Sequence, residues 1–374
     1  MIYLDYNSTT PVDKRVVEKM LPFFTDIYGN PSSDHLFGSE SKKAVNNSRE
    51  EVAQLINSKE DEVIFCSGAT EANNLALLGL ATRQDPNKRH IITSKIEHPA
   101  VLEPIKKLSS NGFEVTYLDV DKEGVVNLNQ LKEAITSNTF LVSIMSANNE
   151  TGTLQPLKKI GEITRENGVL FHTDAAQAVG HIDINVDRMN IDLLSISGHK
   201  YYGPKGVGVL FVRNRTPRVR LNPIILGGEQ EKNLRSGTMN VPGIVGIGEA
   251  SRIASNEMKI NTKNYSNLTS RILTGIKSIR PDMGFNGSNS NRLQHTLNIC
   301  LPNIDNKWLI LKLKNYCFST GSACASGKDE PSHVLLAMGI PIDLIQNSFR
   351  ISVGINTTNN DINTFLKDLS EYIN

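Results

Sequence analysis

The chain has 374 residues, 39% hydrophobic and 21% charged, which suits a large α/β domain with a smaller second domain. Its 40 basic and 39 acidic residues leave a net charge of +1 without a basic block, which argues against direct binding of nucleic acid. The sequence has no signal-peptide pattern and no apolar run of the roughly 18–20 residues that span a bilayer, so we predict a cytoplasmic protein that binds no membrane.

Short β-branched runs alternate with helical stretches from about residue 60 to 215. We predict strands at Glu62–Phe65, His90–Thr93, Glu114–Leu118, Phe140–Ile144, Leu170–His172, Leu193–Ser197 and Gly208–Phe211. The predicted helices between them include Glu71–Ala81, Ala100–Ser109, Leu128–Ser137 and Leu157–Asn167. Such alternation predicts an α/β fold with a mostly parallel seven-stranded sheet and helices on its faces.

The pattern changes after residue 240, where we predict a small α+β domain. Its elements are helices near 243–280, strands near 295–300 and 349–353, and a closing helix at 360–372. We predict that the large domain covers 15–245 and that the small domain combines 1–14 with 246–374.

Polar segments follow several predicted strands, at the sheet edge where ligands bind in folds of this kind. Lys200 follows one strand, and a buried lysine amine is a nucleophile that forms Schiff bases, although a surface lysine would also fit. Asp174 follows another and can pair with a cationic ring nitrogen, although aspartate is also a common helix cap.

The segment Ser67–Thr70 lies between a strand and a helix, where backbone N–H groups can face a phosphate. Helix capping alone would also explain it. Taken with Lys200 and Asp174, however, it predicts a pyridoxal-phosphate (PLP) enzyme of fold type I, because the phosphate, ring nitrogen and aldehyde of PLP each find a partner.

A series of motifs along the chain carries a resemblance to one family. The segments are Tyr3–Pro11, Gly29–Ser33 with His35, Ser67–Asn74, Glu97-His98, Asn148–Gly152, Asp174–Gln177, Ser197–Tyr201, Gly203–Gly206, Gly227–Glu231, Leu234–Thr238 and Ser319–Cys324. The series resembles the NifS/IscS-like cysteine desulfurases of aminotransferase class V, of the long-loop kind. Ser8 departs from the family pattern, in which alanine is usual.

The resemblance implies a homodimer that contains PLP and no metal. It implies that Lys200 bonds covalently to the cofactor and moves the substrate α-proton with the help of His98, which stacks on the ring. The implied cofactor-binding residues are Ala69, Thr70, His98, Asn149, Asp174, Gln177, Ser197, His199, Lys200 and, from the other subunit, Thr238. Asn149 and Arg350 are implied to bind the carboxylate of the substrate, L-cysteine.

The four cysteines show neither C-x-x-C nor zinc-site spacing, so we predict free thiols. Cys66, Cys300 and Cys317 fit buried, inert positions, whereas Cys324 lies in a small-residue segment that we predict to be a mobile loop at about 319–331. The resemblance implies that Cys324 accepts the cysteine sulfur as a persulfide, with release of L-alanine. The sulfur would then pass to an acceptor protein in iron–sulfur cluster assembly, tRNA thiolation or DNA phosphorothioation.

Two alternatives remain. Another class V PLP enzyme, such as a selenocysteine lyase or an aminotransferase, would share Lys200 and Asp174. Formation of alanine from cysteine, and its loss in Cys324→Ser, separates an aminotransferase from a desulfurase. A non-enzymatic protein that keeps only the fold would not bind PLP.

Overall fold

The computed structural model of the chain describes residues 1–83, 85, 87–320 and 330–373. Its strands are β1 (Ile2–Tyr3), β2 (Val63–Cys66), β3 (His90–Ser94), β4 (Glu114–Leu118), β5 (Thr139–Ser143), β6 (Leu170–Asp174), β7 (Leu193–Ser197), β8 (Gly208–Val212), β9 (Gly284–Phe285), β10 (Thr296–Cys300), β11 (Tyr316–Cys317) and β12 (Ser348–Ser352). Its α-helices are α1 (Lys14–Met20), α2 (Pro22–Thr25), α3 (Leu36–Ile56), α4 (Ala69–Ala81), α5 (Pro99–Ser110), α6 (Leu128–Ala134), α7 (Leu157–Glu166), α8 (Gln230–Asn233), α9 (Val241–Ile279), α10 (Asn306–Lys312), α11 (His333–Ala337), α12 (Ile342–Gln346) and α13 (Asn359–Ile373). Short 3-10 helices cover Glu60–Glu62 and Gly198–Lys200.

The central sheet has seven strands in the order β2-β8-β7-β6-β5-β3-β4. Neighbouring strands are parallel except for β8, which is antiparallel to both β2 and β7. The prediction of a mostly parallel seven-stranded sheet is therefore confirmed, with strand limits that differ by at most two residues. Because β2 and β7 are both antiparallel to β8, their carboxyl ends lie at the same sheet edge as those of β3, β5 and β6.

Helices cover both faces of this sheet, which explains why its inner strands are almost entirely buried, whereas the edge strand β4 is only partly buried. Successive residues of a strand enter opposite hydrophobic clusters: Ile92 and Val142 lie in one cluster, and Ile91 and Leu141 in the other. Every residue of β3, β5, β7 and β8 is buried. The sheet edge that carries the polar segments is therefore held on a rigid, fully packed core.

Away from the two clusters on the faces of the central sheet, a second hydrophobic core surrounds β10, which is antiparallel to β12 and β9. The first residues of the chain join it, because β1 is parallel to β11 and Leu4 is fully buried there. Helix α9 contributes Val241 and Ile253 to the core of the large sheet and Ile272 to this second hydrophobic core. The proposed domain limits at 14/15 and 245/246 stay a prediction.

Two helices differ from their predicted limits in ways that matter locally. Helix α6 ends at Ala134 rather than Ser137, because Ile135 is extended and the Thr136 N–H is bonded by Thr139 Oγ1 at 2.8 Å. Helix α4 begins at Ala69 rather than Glu71, so Ala69 and Thr70 form its first turn. In the described part of the chain, no helix is long and apolar enough to cross a membrane.

Candidate active site

A cavity of about 600 Å³ lies at the carboxyl-terminal edge of the central sheet. It brings together ten residues singled out from the sequence: Ala69, Thr70, His98, Asn149, Asp174, Gln177, Ser197, His199, Lys200 and Arg350. Thr238 is exposed and is not among the residues that line the cavity. Cys324 lies outside the described residues.

Lys200 ends the 3-10 helix that follows β7, and its amine is held against the start of the chain. Nζ donates hydrogen bonds to the backbone carbonyls of Asn7, at 2.5 Å, and Ser8, at 3.0 Å. His181 Nε2 lies 3.0 Å from the Lys200 carbonyl oxygen and is the donor to it. Neutral carbonyl groups therefore hold the amine at the carboxyl-terminal edge of the sheet.

Asp174 is the last residue of β6 and is 6% exposed. Its Oδ2 accepts from Asn73 Nδ2 at 2.7 Å, and its Oδ1 accepts from the Ala176 N–H at 3.0 Å. Both donors are neutral, so this buried carboxylate can also accept a cationic ring nitrogen from the cavity. This geometry fits the role predicted for Asp174, in which its carboxylate pairs with a cationic ring nitrogen. Helix capping alone would not need the hydrogen bond from Asn73.

The first turn of α4 lies at one end of the cavity, together with Ser197, His199 and Lys205. The 13-residue helix carries no side-chain cap at Gly68, so its first N–H groups remain available to an anion. Burial and the neighbouring Lys200 and Lys205 lower the pKa of His199 to about 4. His199 Nδ1 lies 3.1 Å from Thr9 Oγ1. These groups form a cationic and donor-rich end that suits a phosphate.

His98 is the N-cap of α5, where its Nδ1 accepts from the Ala100 N–H at 3.1 Å. In the neutral ring, the proton therefore resides on Nε2. Burial lowers the pKa of His98; Asp174 opposes this shift, and Lys200 adds to it. A neutral imidazole in the cavity can accept or return a proton.

Arg350, on β12, is 2% exposed and lines the cavity. Its Nη1 donates to the Asn149 carbonyl at 2.8 Å, and its Nη2 donates to Asp5 Oδ1 at 2.8 Å and to Ser8 Oγ at 2.9 Å. Nε is buried and makes no hydrogen bond in the described part of the chain. A buried guanidinium with an unpartnered N–H is a site for a carboxylate.

Residues on both sides of the Cys324 segment bond to parts of this site. Ser319 exchanges backbone hydrogen bonds with Arg350, of 3.1 and 2.6 Å. On the far side, Ser332 Oγ donates to Glu150 Oε2 at 2.6 Å, and His333 Nε2 donates to the Glu97 carbonyl at 3.0 Å. Ser319 is therefore held by Arg350, which lines the cavity, and Ser332 by Glu150, the chain neighbour of the cavity-lining Asn149.

Two buried glutamates lie in the same loops. Burial raises the pKa of Glu97 to about 8, although Ser94 Oγ and the Met145 N–H donate to its Oε1. Burial also raises the pKa of Glu150 to about 7. Both carboxyl groups keep their protons to higher pH than an exposed glutamate does.

Sequence reasoning missed three residues of the site. Asn7 accepts from Lys200 and Gln177 Nε2, at 2.5 and 3.0 Å, and donates to the Asn149 carbonyl at 3.1 Å. Ser8 contacts Arg350, and Asn73 holds Asp174. Asn73 could have been found, because it lies one turn after Ala69 and Thr70 on the same helix. Asn7 lies in the motif Tyr3–Pro11, but nothing in the local sequence shows that its carbonyl contacts Lys200.

The family model described as "Aminotransferase class-V" matches residues 2–365. The chain belongs to the class V aminotransferases. "Cysteine desulfurase IscS" of Dictyoglomus turgidum (strain DSM 6724 / Z-1310) is 46% identical over 374 residues, with 100% of this chain and 94% of that protein covered. The solved structure "NIFS-LIKE PROTEIN" matches with a TM-score of 0.93 and 39% identity, covering 99% of this chain and 98% of the other. "SspA in complex with cysteine" matches with a TM-score of 0.84 and 38% identity, covering 96% and 100% respectively.

These matches confirm the resemblance to NifS/IscS-like cysteine desulfurases and the PLP fold type I architecture. PLP is the cofactor of this family, and the cavity fits it on its own features. The uncapped α4 end suits the phosphate, the buried Asp174 carboxylate suits the ring nitrogen, and the Lys200 amine suits the aldehyde.

None of the three described cysteines, Cys66, Cys300 and Cys317, lines the cavity. Cys66 and Cys300 are buried, and burial raises the pKa of both thiols. Cys317 is only partly buried, contrary to the expectation of a core position, because its strand β11 pairs at its edge with the two-residue β1. Among residues 1–83, 85, 87–320 and 330–373, no group of three or more His, Cys, Asp or Glu side chains could hold a metal ion.

Proposed function

We propose that this chain is a PLP-dependent cysteine desulfurase that converts L-cysteine to L-alanine and passes the sulfur, through a persulfide on Cys324, to an acceptor protein. The observation that carries the proposal is the cavity that unites the Lys200 amine, the buried Asp174 carboxylate and the Arg350 guanidinium. These groups match the aldehyde and ring nitrogen of the cofactor and the carboxylate of an amino acid.

PLP, when bound, withdraws electrons from the substrate α-carbon and so weakens the bonds to its substituents. Ala69, Thr70, Ser197 and His199 would hold its phosphate, Asp174 its ring nitrogen and Gln177 its phenolic oxygen. Thr238 would reach the phosphate from the other subunit. Its exposure, and the fact that it does not line its own cavity, support that role.

Lys200 and His98 would manage protons. Lys200 Nζ would take the α-proton of cysteine, since the Asn7 and Ser8 carbonyls hold this amine at the cavity. His98, stacked on the cofactor ring, would exchange protons with the substrate through Nε2, because its Nδ1 is occupied as the cap of α5. Asn149 and Arg350 would bind the substrate carboxylate.

Cys324 would receive the sulfur. Its thiolate attacks the substrate sulfur, a new S–S bond forms, and the bond between that sulfur and Cβ breaks with its electron pair left on carbon. Protonation of Cβ completes L-alanine, and Cys324 carries the persulfide. The bonds of Ser319 to Arg350 and of Ser332 to Glu150 support this role, because they fix both flanks beside the cavity.

An acceptor thiol would then take the outer sulfur; iron–sulfur cluster assembly, tRNA thiolation and DNA phosphorothioation are the candidate destinations. We also propose a homodimer, which the exposed apolar side chains of Leu21, Phe24 and Leu226 support. A cytoplasmic location stays a prediction, which cell fractionation would test.

The test begins with the absorption spectrum of the purified protein. L-Cysteine is then added with a thiol reductant, and alanine and sulfide are measured for wild type, Lys200→Ala and Cys324→Ser. We expect a yellow wild-type protein that forms alanine and sulfide in equal amounts, with both variants inactive.

Each contrary outcome has its own meaning. A yellow protein indifferent to cysteine would indicate another class V reaction, and a colourless protein unable to take up PLP would overturn the proposal. Cys317, which is only partly buried, is changed to serine as the matched control and should leave turnover intact. Light scattering of the wild-type protein tests whether it is a dimer. PLP retention in Thr238→Ala tests whether Thr238 helps to hold the phosphate.

A further inference from the structure

We propose that the Ser8 hydroxyl is a third anchor for the substrate carboxylate and selects ligands that carry this group. The inference rests on the proposed function, because it concerns the amino acid bound in the same cavity. Ser8 lines that cavity and its Oγ accepts from Arg350 Nη2 at 2.9 Å.

The N–H groups of Arg350 determine how it can bind a carboxylate. A guanidinium has five: two on Nη1, two on Nη2 and one on Nε. Both Nη2 protons are directed to acceptors, one to Asp5 and one to Ser8, while Nη1 donates to the Asn149 carbonyl. Nε is buried and has no hydrogen-bond partner among the residues that the structure describes.

A carboxylate can bind to this guanidinium along one of two edges. Each edge that grips both carboxylate oxygens, Nε with Nη2 or Nη1 with Nη2, includes Nη2. A carboxylate that binds through both of its oxygens must therefore displace one of the two Nη2 acceptors. Asp5 is the charged partner, at 2.8 Å, and charge-assisted hydrogen bonds are the stronger kind. The neutral Ser8 hydroxyl is the acceptor that yields.

The displaced Ser8 hydroxyl can change from hydrogen-bond acceptor to donor. A serine hydroxyl both accepts and donates, and its proton can rotate. Once released from Nη2, Ser8 Oγ lies beside the carboxylate that replaced it and can donate to one of its oxygens. Asp5 cannot do this, because an ionised carboxylate only accepts.

The position of Ser8 along the chain supports this assignment. Its backbone carbonyl accepts from Lys200 Nζ at 3.0 Å, while its side chain contacts Arg350. One residue therefore lies between the amine that handles the amino group of a substrate and the guanidinium that binds its carboxylate. Because Asp5 already neutralises part of the Arg350 charge, an added donor has a distinct contribution to binding.

The test compares Ser8→Ala, Ser8→Thr and the neighbouring Thr9→Ala in the PLP-loaded enzyme. Binding is measured from changes in the absorption spectrum on titration with L-alanine, which has a carboxylate, and with ethylamine, which has none. KM and kcat for L-cysteine are measured in parallel. Thr9 also lines the cavity, but its hydroxyl contacts His199, so Thr9→Ala controls for loss of a hydroxyl in the same segment.

We expect Ser8→Ala to weaken L-alanine binding and raise KM about two- to tenfold, the net worth of one hydrogen bond, with kcat and ethylamine binding unchanged. Ser8→Thr should behave as wild type, and Thr9→Ala should alter PLP retention without changing the ratio of the two affinities. Equal or tighter L-alanine binding in Ser8→Ala would overturn the inference, as would a parallel loss for both ligands.

The same data separate this inference from the proposed function. A wild-type enzyme that makes no alanine from cysteine, yet binds L-alanine in a Ser8-dependent way, would overturn the desulfurase reaction and support the carboxylate anchor. A wild-type protein that takes up neither ligand would overturn both.

Discussion

Replacement of Glu97 by glutamine should stabilise the protein at alkaline pH. The buried carboxyl has a folded-state pKa of about 8, against an ordinary 4.5, so the folded chain holds a proton that the unfolded chain has lost. Wild type therefore loses stability as pH rises from 4.5 to about 8, and little further above that. Glutamine resembles the protonated acid and does not titrate.

The magnitude follows from the pH interval. Between about pH 6 and pH 8, two units at 1.36 kcal/mol each give at most about 2.7 kcal/mol of added advantage for the variant. For a chain of this length, that corresponds to roughly 3 °C in Tm.

The assay is the Tm of the variant minus that of wild type, measured at about pH 6, pH 8 and pH 9. We expect the difference to rise up to about pH 8 and then to level off. A difference that does not change with pH would refute the reasoning, because Glu97 would then titrate alike in the folded and unfolded chains. Glu103→Gln is the matched control, since Glu103 is exposed and paired with Lys106 on the surface of α5.

Three further predictions concern the site and its frame. Asp174→Asn should reduce turnover by about ten- to hundredfold and speed the loss of PLP on dialysis, since it removes the buried anion; wild-type retention would contradict the role given to Asp174. Glu231→Gln should lower the free energy of unfolding by about 3 kcal/mol in denaturant titration, because it removes the charge that pairs with the partly buried Arg49 at 2.6 Å and one of the two oxygens that accept hydrogen bonds there. Gly180→Ala should lower the free energy of unfolding by about 1–3 kcal/mol and shift the absorption spectrum of the bound cofactor. Gly180 has φ +82°, and an added Cβ would lie 2.7 Å from the Cβ of Tyr201, the residue next to Lys200. An unchanged Tm and an unchanged spectrum would contradict this prediction.

The central sheet was predictable because its strands are buried on both faces. The limits of β7 match the prediction, since all five residues of this strand are buried. The limits of β4 also match, although this edge strand is only partly buried. Helix α6 was predicted too long, because the turn that ends it depends on a hydrogen bond from the Thr136 N–H to Thr139 Oγ1 rather than on a helix-breaking residue.

The site was only partly predictable. Lys200 and Asp174 follow strands in the sequence, so their meeting at one sheet edge could be inferred from the fold class alone. Asn7 and Ser8 could not be placed in this way, because their partners lie far along the chain: Ser8 bonds to Arg350, 342 residues away. The exposure of Thr238 could not be read from the sequence either.

The first nine residues have a consequence for biosynthesis. Asn7 and Ser8 hold Lys200, yet the Asn7 N–H is fixed by Ser352, and Leu4 is buried in the second hydrophobic core. This segment is synthesised 345 residues before its partner in β12, so it cannot reach its final position until β12 has been made. Contacts of such long sequence separation form late and slowly. We therefore expect a nascent chain released before β12 to have its central sheet but not a complete cofactor site.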